Sequence, residues 1–473
     1  MASGANREPT PGPVFDEASS GTARGDAEYR RWRPGRRIAK NGPPARVARK
    51  QKGLIRRMMN AEPRNSARPT AYRSLAREHS GLLGTYACTH QGARNTSTSR
   101  HQQGVGPLFG PAATRNGTLA DELAGLTRPG ELCEPGADGV VRCVACAHQC
   151  RIPEGGSGVC LLRSNRGGIL RVPWGYVSGV ACDPVEKKPF FHLLPGGEAL
   201  SFGMLGCNFR CAFCQNWETS QVLRDPEATA TRQVVTPEMV VDWGRRQGAQ
   251  IIASTYNEPL ITSEWGRDIF ALGREAGMLT CYVSNGFASP QVIDWLDPWL
   301  DAMNVDLKCF TDEGYRQLGG RLEPVCDTIR ALSGRGKWLE VITLIVPGFN
   351  DGEKELSSLA EFLVSVSPDI PWHVSAYHAA YRMSAGPRRT STDALRKALE
   401  IGRSAGVRYV YAGNVRAMDG SRHECTYCHS CGHTLVERQG FRLLRNDLRD
   451  GRCPVCGVRI PGIWSRNKEQ QDD

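Results

Sequence analysis

Three cysteines constrain this chain more than any other feature: Cys207-Asn-Phe-Arg-Cys211-Ala-Phe-Cys214-Gln-Asn-Trp217. They stand in a C-x3-C-x2-C spacing, directly after an apolar run, residues 200–205, that reads as a strand. Thiolates are soft ligands suited to iron–sulfur clusters. A cubane has four irons, so three cysteines leave one iron without a protein ligand. An incomplete ligand set points to chemistry rather than structure, as at catalytic zinc sites that keep an open position. The alternatives are a zinc knuckle or plain buried thiols.

From residue 200 onward, short β-rich runs alternate with helical segments, which predicts repeated βα units around a parallel sheet. Strands are expected at 200–205, 251–256, 279–284, 302–307, 339–346, 372–377 and 408–411, and helices at 237–247, 262–276 and 353–366. The fold class is therefore α/β, a partial (β/α)6-type barrel, with its active groups on the loops at the C-terminal strand ends. Each expected strand end carries polar residues. They are the cysteine loop, Thr255-Tyr256-Asn257-Glu258-Pro259, Ser284-Asn285-Gly286, Asp306-Leu-Lys308, Asn350-Asp351, Tyr377-His378 and Gly413-Asn414. One such end means little, but seven around one rim argue for a cofactor and substrate site.

Two further cysteine groups flank this core. Cys143-x2-Cys146-x3-Cys150-x9-Cys160 has glycines in its last gap and predicts a four-thiolate site for zinc or an auxiliary iron–sulfur cluster, with His148 as a substitute ligand. Cys428-x2-Cys431 and Cys453-x2-Cys456, separated by a segment that reads as a hairpin, predict a zinc ribbon or a rubredoxin-like iron site, with Cys425 as a competing ligand. A metal-free pair of structural segments is the bland reading. Between the first group and the core, residues 169–179 read as strand. Glu186-Lys187-Lys188 that follows either faces an anionic substrate or forms a solvated loop with its own ion pairs.

The chain divides into a basic extension at 1–118, a Cys-rich segment at 119–198 opening with a short helix over 119–126, the core at 199–416, the ribbon at 417–464 and a polar tail at 465–473. Charge supports the first boundary. The chain carries a net charge of +11, yet residues 1–120 hold 21 Lys and Arg against 7 Asp and Glu, and the other 353 residues hold 39 against 42. The surplus belongs to the extension, and the core gives no reason to expect nucleic-acid binding. Rich in Arg, Pro, Gly and Ser without periodicity, the extension is expected to be disordered. It is read as an RNA-binding or partner-binding arm, or as non-functional sequence from an upstream start. Eleven of 18 cysteines fall in metal-ligand spacings, which implies a reducing compartment. With no apolar leader and no membrane-spanning run, a cytoplasmic protein is expected.

The glycine-cysteine-asparagine entry and spacing of the central cysteines resemble the radical S-adenosylmethionine (radical SAM) enzymes. In that family the amine and carboxylate of S-adenosylmethionine fill the fourth iron of a 4Fe-4S cluster, and an electron from the cluster cleaves the sulfonium to a 5′-deoxyadenosyl radical. The resemblance implies cofactor contacts from Phe213, Asn257, Glu258, Ser284, Asn285, Asp306, Lys308 and His373. It also implies an electron donor such as flavodoxin or ferredoxin and an unknown substrate, for which a protein is the candidate. Ser284-Asn285-Gly286, Asp306-x-Lys308 and His373 are similar to features of the activases of glycyl-radical enzymes, which makes such activation the second expectation. Two departures weaken it. Ile342 and Thr343 stand where activases usually carry an arginine, and the extra cysteines lie before the radical motif and at the end of the chain. The first four cysteines, Glu186-Lys-Lys-Pro, Cys-Gln-Asn-Trp, Tyr-Asn-Glu-Pro and the ribbon together resemble the radical SAM enzyme of the AmmeMemoRadiSam system, over residues 119–464. A non-enzymatic, zinc-organised binding module is the remaining alternative.

Overall fold

A computed structural model describes residues 119–466, apart from 227, 229, 388, 416, 417 and 419–421. The basic extension and residues 467–473 of the expected tail lie outside the described residues.

The centre is an eight-stranded sheet made of β1 (Gly179–Pro184), β2 (Glu198–Gly203), β3 (Ile251–Ser254), β4 (Leu279–Ser284), β5 (Ala302–Asp306), β6 (Trp338–Ile345), β7 (Trp372–Ala376) and β8 (Val410–Gly413), in that spatial order. Strands β2 to β8 are parallel. The edge strands β1 and β8 do not pair with each other, so the barrel is open. Five of the seven expected strands begin within one residue of expectation; β2 starts two residues earlier and β8 two later than predicted. All four residues of β3 are buried, as a parallel strand covered on both faces requires. The eighth strand was not anticipated. Antiparallel β1 pairs with β2 along its whole length, from Gly179↔Gly203 to Pro184↔Glu198, and the segment expected as strand at 169–179 breaks into Ile169–Pro173 and Tyr176–Val177 before it.

Helices α1 (Pro237–Arg246), α2 (Ser263–Glu275), α3 (Pro290–Leu296), α4 (Asp312–Leu318), α5 (Glu323–Gly334), α6 (Glu353–Val366) and α7 (Thr392–Ala405) connect the strands. Local chemistry sets several of their starts. Thr236, Ser289, Thr311 and Ser391 each accept a hydrogen bond from a backbone amide of the first turn, and α1 and α3 begin with proline, whose missing N–H would be unpaired there anyway. Helix α7 ends on left-handed Gly406.

Both flanking segments are bolted to this core by buried ion pairs. In the Cys-rich segment, Arg163 donates to both carboxylate oxygens of Glu264 on α2 at 2.7 Å, and Glu264 also accepts the amides of Glu131 and Leu132. Residues 185–194 then pack against the first residues of β2 to β5, where Val185, Phe190 and Leu193 meet Ala199, Ile251, Leu279 and Ala302. They form the floor of the barrel. The ribbon lies under that floor, with Leu435, Val436 and Ile460 clustering with Phe191 and with Tyr409 and Tyr411 at the start of β8. Arg438 of the ribbon donates to Glu186 at 3.3 Å and to the Phe191 carbonyl at 2.6 Å. Glu186 therefore neither faces a substrate nor sits in a solvated loop; it is fully buried and clamps the ribbon.

Candidate functional site

The cysteine loop leaves the C-terminal end of β2, on the opposite rim from the ribbon. Gly206 at its entry has φ of +86°, and a Cβ there would lie 2.4 Å from Leu162 Cδ1 of the Cys-rich segment. Backbone conformation and close approach both require glycine. Asn257 ties the next strand end to this one: its Oδ1 accepts the Met204 amide at 2.9 Å. Gln221 donates to the Phe209 carbonyl at 3.1 Å and Arg224 to the Cys207 carbonyl at 2.9 Å, so the loop is held from several sides.

A cavity of about 220 Å³ opens over this loop. Cys207, Cys211, Cys214 and Phe213 form one wall, and Asn257, Glu258, Ser284, Asn285, Asp306 and Lys308 come from the three following strand ends. Of the predicted site residues on the radical motif and its strand ends, all but His373 are brought together here. Glu258 Oε1 accepts from Ser284 Oγ at 2.7 Å and Oε2 from the Asn285 amide at 2.8 Å. Even so, burial outweighs these donors and pushes the carboxyl up to about 7. Burial opposes charge on Lys308 as well, but the paired Asp306 carboxylate and the Cys211 sulfur hold its pKa above the usual lysine range. Burial, reinforced by Glu258, pushes the Cys207 thiol up to about 12 and raises Cys211 and Cys214 too, so metal loading at this loop must displace protons.

His373 sits one layer lower. On β7 the two-residue period of a strand turns His373 and Ser375 to the same face, and only Ser375, nearer the C-terminal end, lines the cavity. His373 Nε2 meets Glu340 Oε2 at 2.6 Å, and Glu340 also accepts the amides of Phe191 and His192. The structure places His373 in the barrel floor and not at this cavity.

The ribbon gathers Cys428, Cys431, Cys453 and Cys456 so that all four sulfurs lie within 4.8 Å of one another, on a three-stranded sheet of Thr426–Tyr427, Thr434–Gln439 and Arg442–Asn446. The competing Cys425 is turned away, accepting the Arg438 amide at 3.4 Å. In the first group Cys143, Cys146 and Cys160 are buried and Cys150 is half-buried. His148 contacts the Asn208 carbonyl at 3.1 Å.

Ser375, Asn414, Ile342 and Leu344 also line the cavity. Asn414 was visible as a polar strand end, while Ser375 could have been found only by following the inward alternation of β7. Lys188, buried beside the barrel wall, contacts the Tyr256 hydroxyl at 3.3 Å, and Tyr256 lines the cavity.

The family pattern for the radical SAM superfamily matches residues 203–363. An uncharacterized protein of Methanocaldococcus jannaschii is 36% identical over 327 residues, which cover 68% of this chain and 96% of that protein. The pyruvate formate-lyase 1-activating enzyme of Escherichia coli is 28% identical over 174 residues, 36% of this chain and 69% of the enzyme. A crystallised domain of a pyruvate-formate lyase-activating enzyme from Bacteroides vulgatus aligns with 34% of this chain and 98% of its own at 20% identity, with a TM-score of 0.31.

Proposed function

This chain belongs to the radical SAM superfamily, and we propose from that premise that Cys207, Cys211 and Cys214 hold a 4Fe-4S cluster used with S-adenosylmethionine for radical chemistry on a substrate not yet identified. The single observation that carries the proposal is the shared cavity. Three free thiols, spread along one loop, face a buried carboxylate and a lysine–aspartate pair delivered by neighbouring strand ends. When bound, the cluster and S-adenosylmethionine supply an electron and a 5′-deoxyadenosyl radical that abstracts a hydrogen atom.

The residues divide the remaining work. The three thiols would hold the cluster, with room beside it for S-adenosylmethionine. Glu258, fixed by Ser284 and the Asn285 amide, presents a carboxylate to an ammonium group. Asp306 and Lys308 offer an acceptor and a donor at fixed positions for a ribose and a carboxylate. Phe213, packed 5.4 Å from Phe349, offers a ring face to an adenine. Ile342 and Leu344 line the wall without competing for hydrogen bonds and help exclude water.

The resemblance to the AmmeMemoRadiSam radical SAM enzyme is the narrower assignment we propose, because the first four cysteines and the ribbon accompany the core. Glycyl-radical activation is the second reading, favoured by the similarity to an activating enzyme. Against it, Ile342 and Thr343 occupy the activase arginine position, and Thr343 Oγ1 is committed to the Trp372 indole at 3.0 Å. A flavodoxin- or ferredoxin-type donor would supply the electron. The decisive experiment is anaerobic reconstitution followed by dithionite and S-adenosylmethionine. Formation of 5′-deoxyadenosine is expected; its absence from a protein loaded with iron and sulfide would overturn the proposal.

A further inference from the structure

We propose that Cys143, Cys146, Cys150 and Cys160 form a second iron–sulfur site, coupled through Asn208 to the cysteine loop and relaying single electrons to it. The relay half of this inference rests on the function proposed above; the metal assignment does not.

Ligand spacing is the first argument. A single zinc ion with bonds of about 2.3 Å draws four sulfurs to about 3.8 Å from one another. The ribbon is already built that way, with Cys428–Cys456 and Cys431–Cys453 both at 3.6 Å. Among the described residues no three of the first group's sulfurs come within 4.8 Å of one another. They are nevertheless neighbours: the Cys143 amide donates to the Cys150 carbonyl at 2.9 Å, and a Cβ at Gly158, two residues before Cys160, would lie 3.4 Å from Cys150 Sγ. A group this loosely gathered suits a cluster, whose thiolates bind different irons, better than one ion.

A backbone donor reaches sulfur in both groups. The Val159 amide donates to Cys150 Sγ at 3.4 Å, as the Phe209 amide donates to Cys207 Sγ at 3.3 Å in the radical loop. Such N–H···S bonds are among the features that tune cluster potentials.

Asn208 is the independent observation. It is 2% exposed, and its Nδ2 has no hydrogen-bond partner. The orientation of its amide follows from its neighbours. Asn285 Oδ1 accepts the Phe287 amide at 3.0 Å, so Asn285 Nδ2 faces Asn208 and donates to its Oδ1 at 2.7 Å. Asn208 Nδ2 must then point elsewhere, and the sulfur beside it is Cys146. A buried donor without a protein acceptor costs about 1–3 kcal/mol. A metal-bound sulfur beside it would accept from that donor and remove the cost. Asn208 also adjoins Cys207 in sequence, and its Oδ1 lies 3.7 Å from Cys207 Sγ. One side chain thus spans the two thiol groups.

The electron balance is simple. A low-potential iron–sulfur or flavin protein loses one electron to the first site, which passes it to the radical site and returns to its oxidised state. No bond forms or breaks, and no proton moves.

The test uses the full chain with Cys207→Ala, Cys211→Ala and Cys214→Ala combined, reconstituted anaerobically with iron and sulfide. About four iron and about four sulfide per chain should remain, with an electron paramagnetic resonance signal after dithionite that S-adenosylmethionine does not perturb. Zinc without sulfide, or no metal beyond the ribbon, would overturn the assignment. Should the triple variant fail to fold, Cys143→Ser/Cys160→Ser in the otherwise intact chain should halve the bound sulfide, and an unchanged count would overturn it. Adding Asn208→Leu to the triple variant should lower the midpoint potential of the remaining site, because a donor to its sulfur is lost; an unchanged potential would remove Asn208 from the relay. Failure of cofactor cleavage in the parent protein is read separately, since the triple variant lacks the radical ligands.

Discussion

The cysteine loop above β2 and the ribbon beneath the barrel floor use the same ligand atom in opposite ways. The ribbon draws four sulfurs into one tight group, all within 4.8 Å of one another. The loop spreads three sulfurs along a cavity wall that faces the polar strand ends. Their surroundings differ accordingly. Around the loop stand a carboxylate pushed up to about 7, a lysine–aspartate pair and Asn208 with an unpartnered amide nitrogen. Around the ribbon, Arg438 spends its donors on Glu186 Oε1, Thr426 and the Phe191 carbonyl, while Glu186 Oε2 stays buried without a partner. A compact ligand set away from the cavity is built to hold shape, whereas a spread set facing polar groups across a cavity is built to bind. The first cysteine group resembles the loop in its spread and the ribbon in its number of thiols.

The sharpest way to break this comparison is at the loop. Cys211→Ala should abolish 5′-deoxyadenosine formation and remove about four iron per chain, with the ribbon metal retained. Iron analysis and chromatography of the nucleoside check both, and equal iron in variant and parent would make the loop an ordinary knuckle. Next in size is the attachment of the Cys-rich segment. Arg163→Met leaves the Glu264 carboxylate buried without its partner and should cost about 3–5 kcal/mol in denaturant unfolding. Replacing both, Arg163→Met with Glu264→Leu, should restore much of it. A small loss in the single variant would mean the pair is not buried as described.

A pH series probes the unspent carboxylate. The folded pKa of Glu258, about 7, lies above its ordinary 4.5. Its contribution to stability is therefore full below about 4.5 and lost as pH rises through 7. An ammonium group needs the ionised form, so S-adenosylmethionine affinity should rise about tenfold per pH unit below 7 and level off above it. Calorimetric titration across pH 5.5–8.5 checks the slope, and Glu258→Gln should flatten it. The smallest effect is expected from deleting residues 1–118, which should leave cofactor cleavage intact; lost turnover would give the extension a role in catalysis.

Much of the barrel was legible because parallel strands covered on both faces read as short apolar runs, and their polar ends mark the rim. Glu353–Val366 came out at its expected bounds, and Leu279–Ser284 likewise. Strand β1 was not legible: every residue of Gly179–Pro184 is half-buried, without the alternation that announces a strand. The ion pairs Arg163–Glu264 and Arg438–Glu186 join residues 101 and 252 positions apart, and no local pattern marks either partner. His373 was assigned to the cofactor by resemblance, but its depth along β7 is set by tertiary packing against Glu340 and Phe191. Among the described residues no helix is long and apolar enough to cross a membrane.

The most direct test places Cys211→Ser and Cys431→Ser side by side after anaerobic reconstitution, with metal, sulfide and 5′-deoxyadenosine measured on each. The loop variant is expected to lose sulfide-bearing iron and all nucleoside formation. The ribbon variant should lose its single metal ion and thermal stability while still cleaving S-adenosylmethionine. Cleavage that survives in the loop variant, or disappears in a folded ribbon variant still loaded at the loop, would contradict the division between an open site and a closed one.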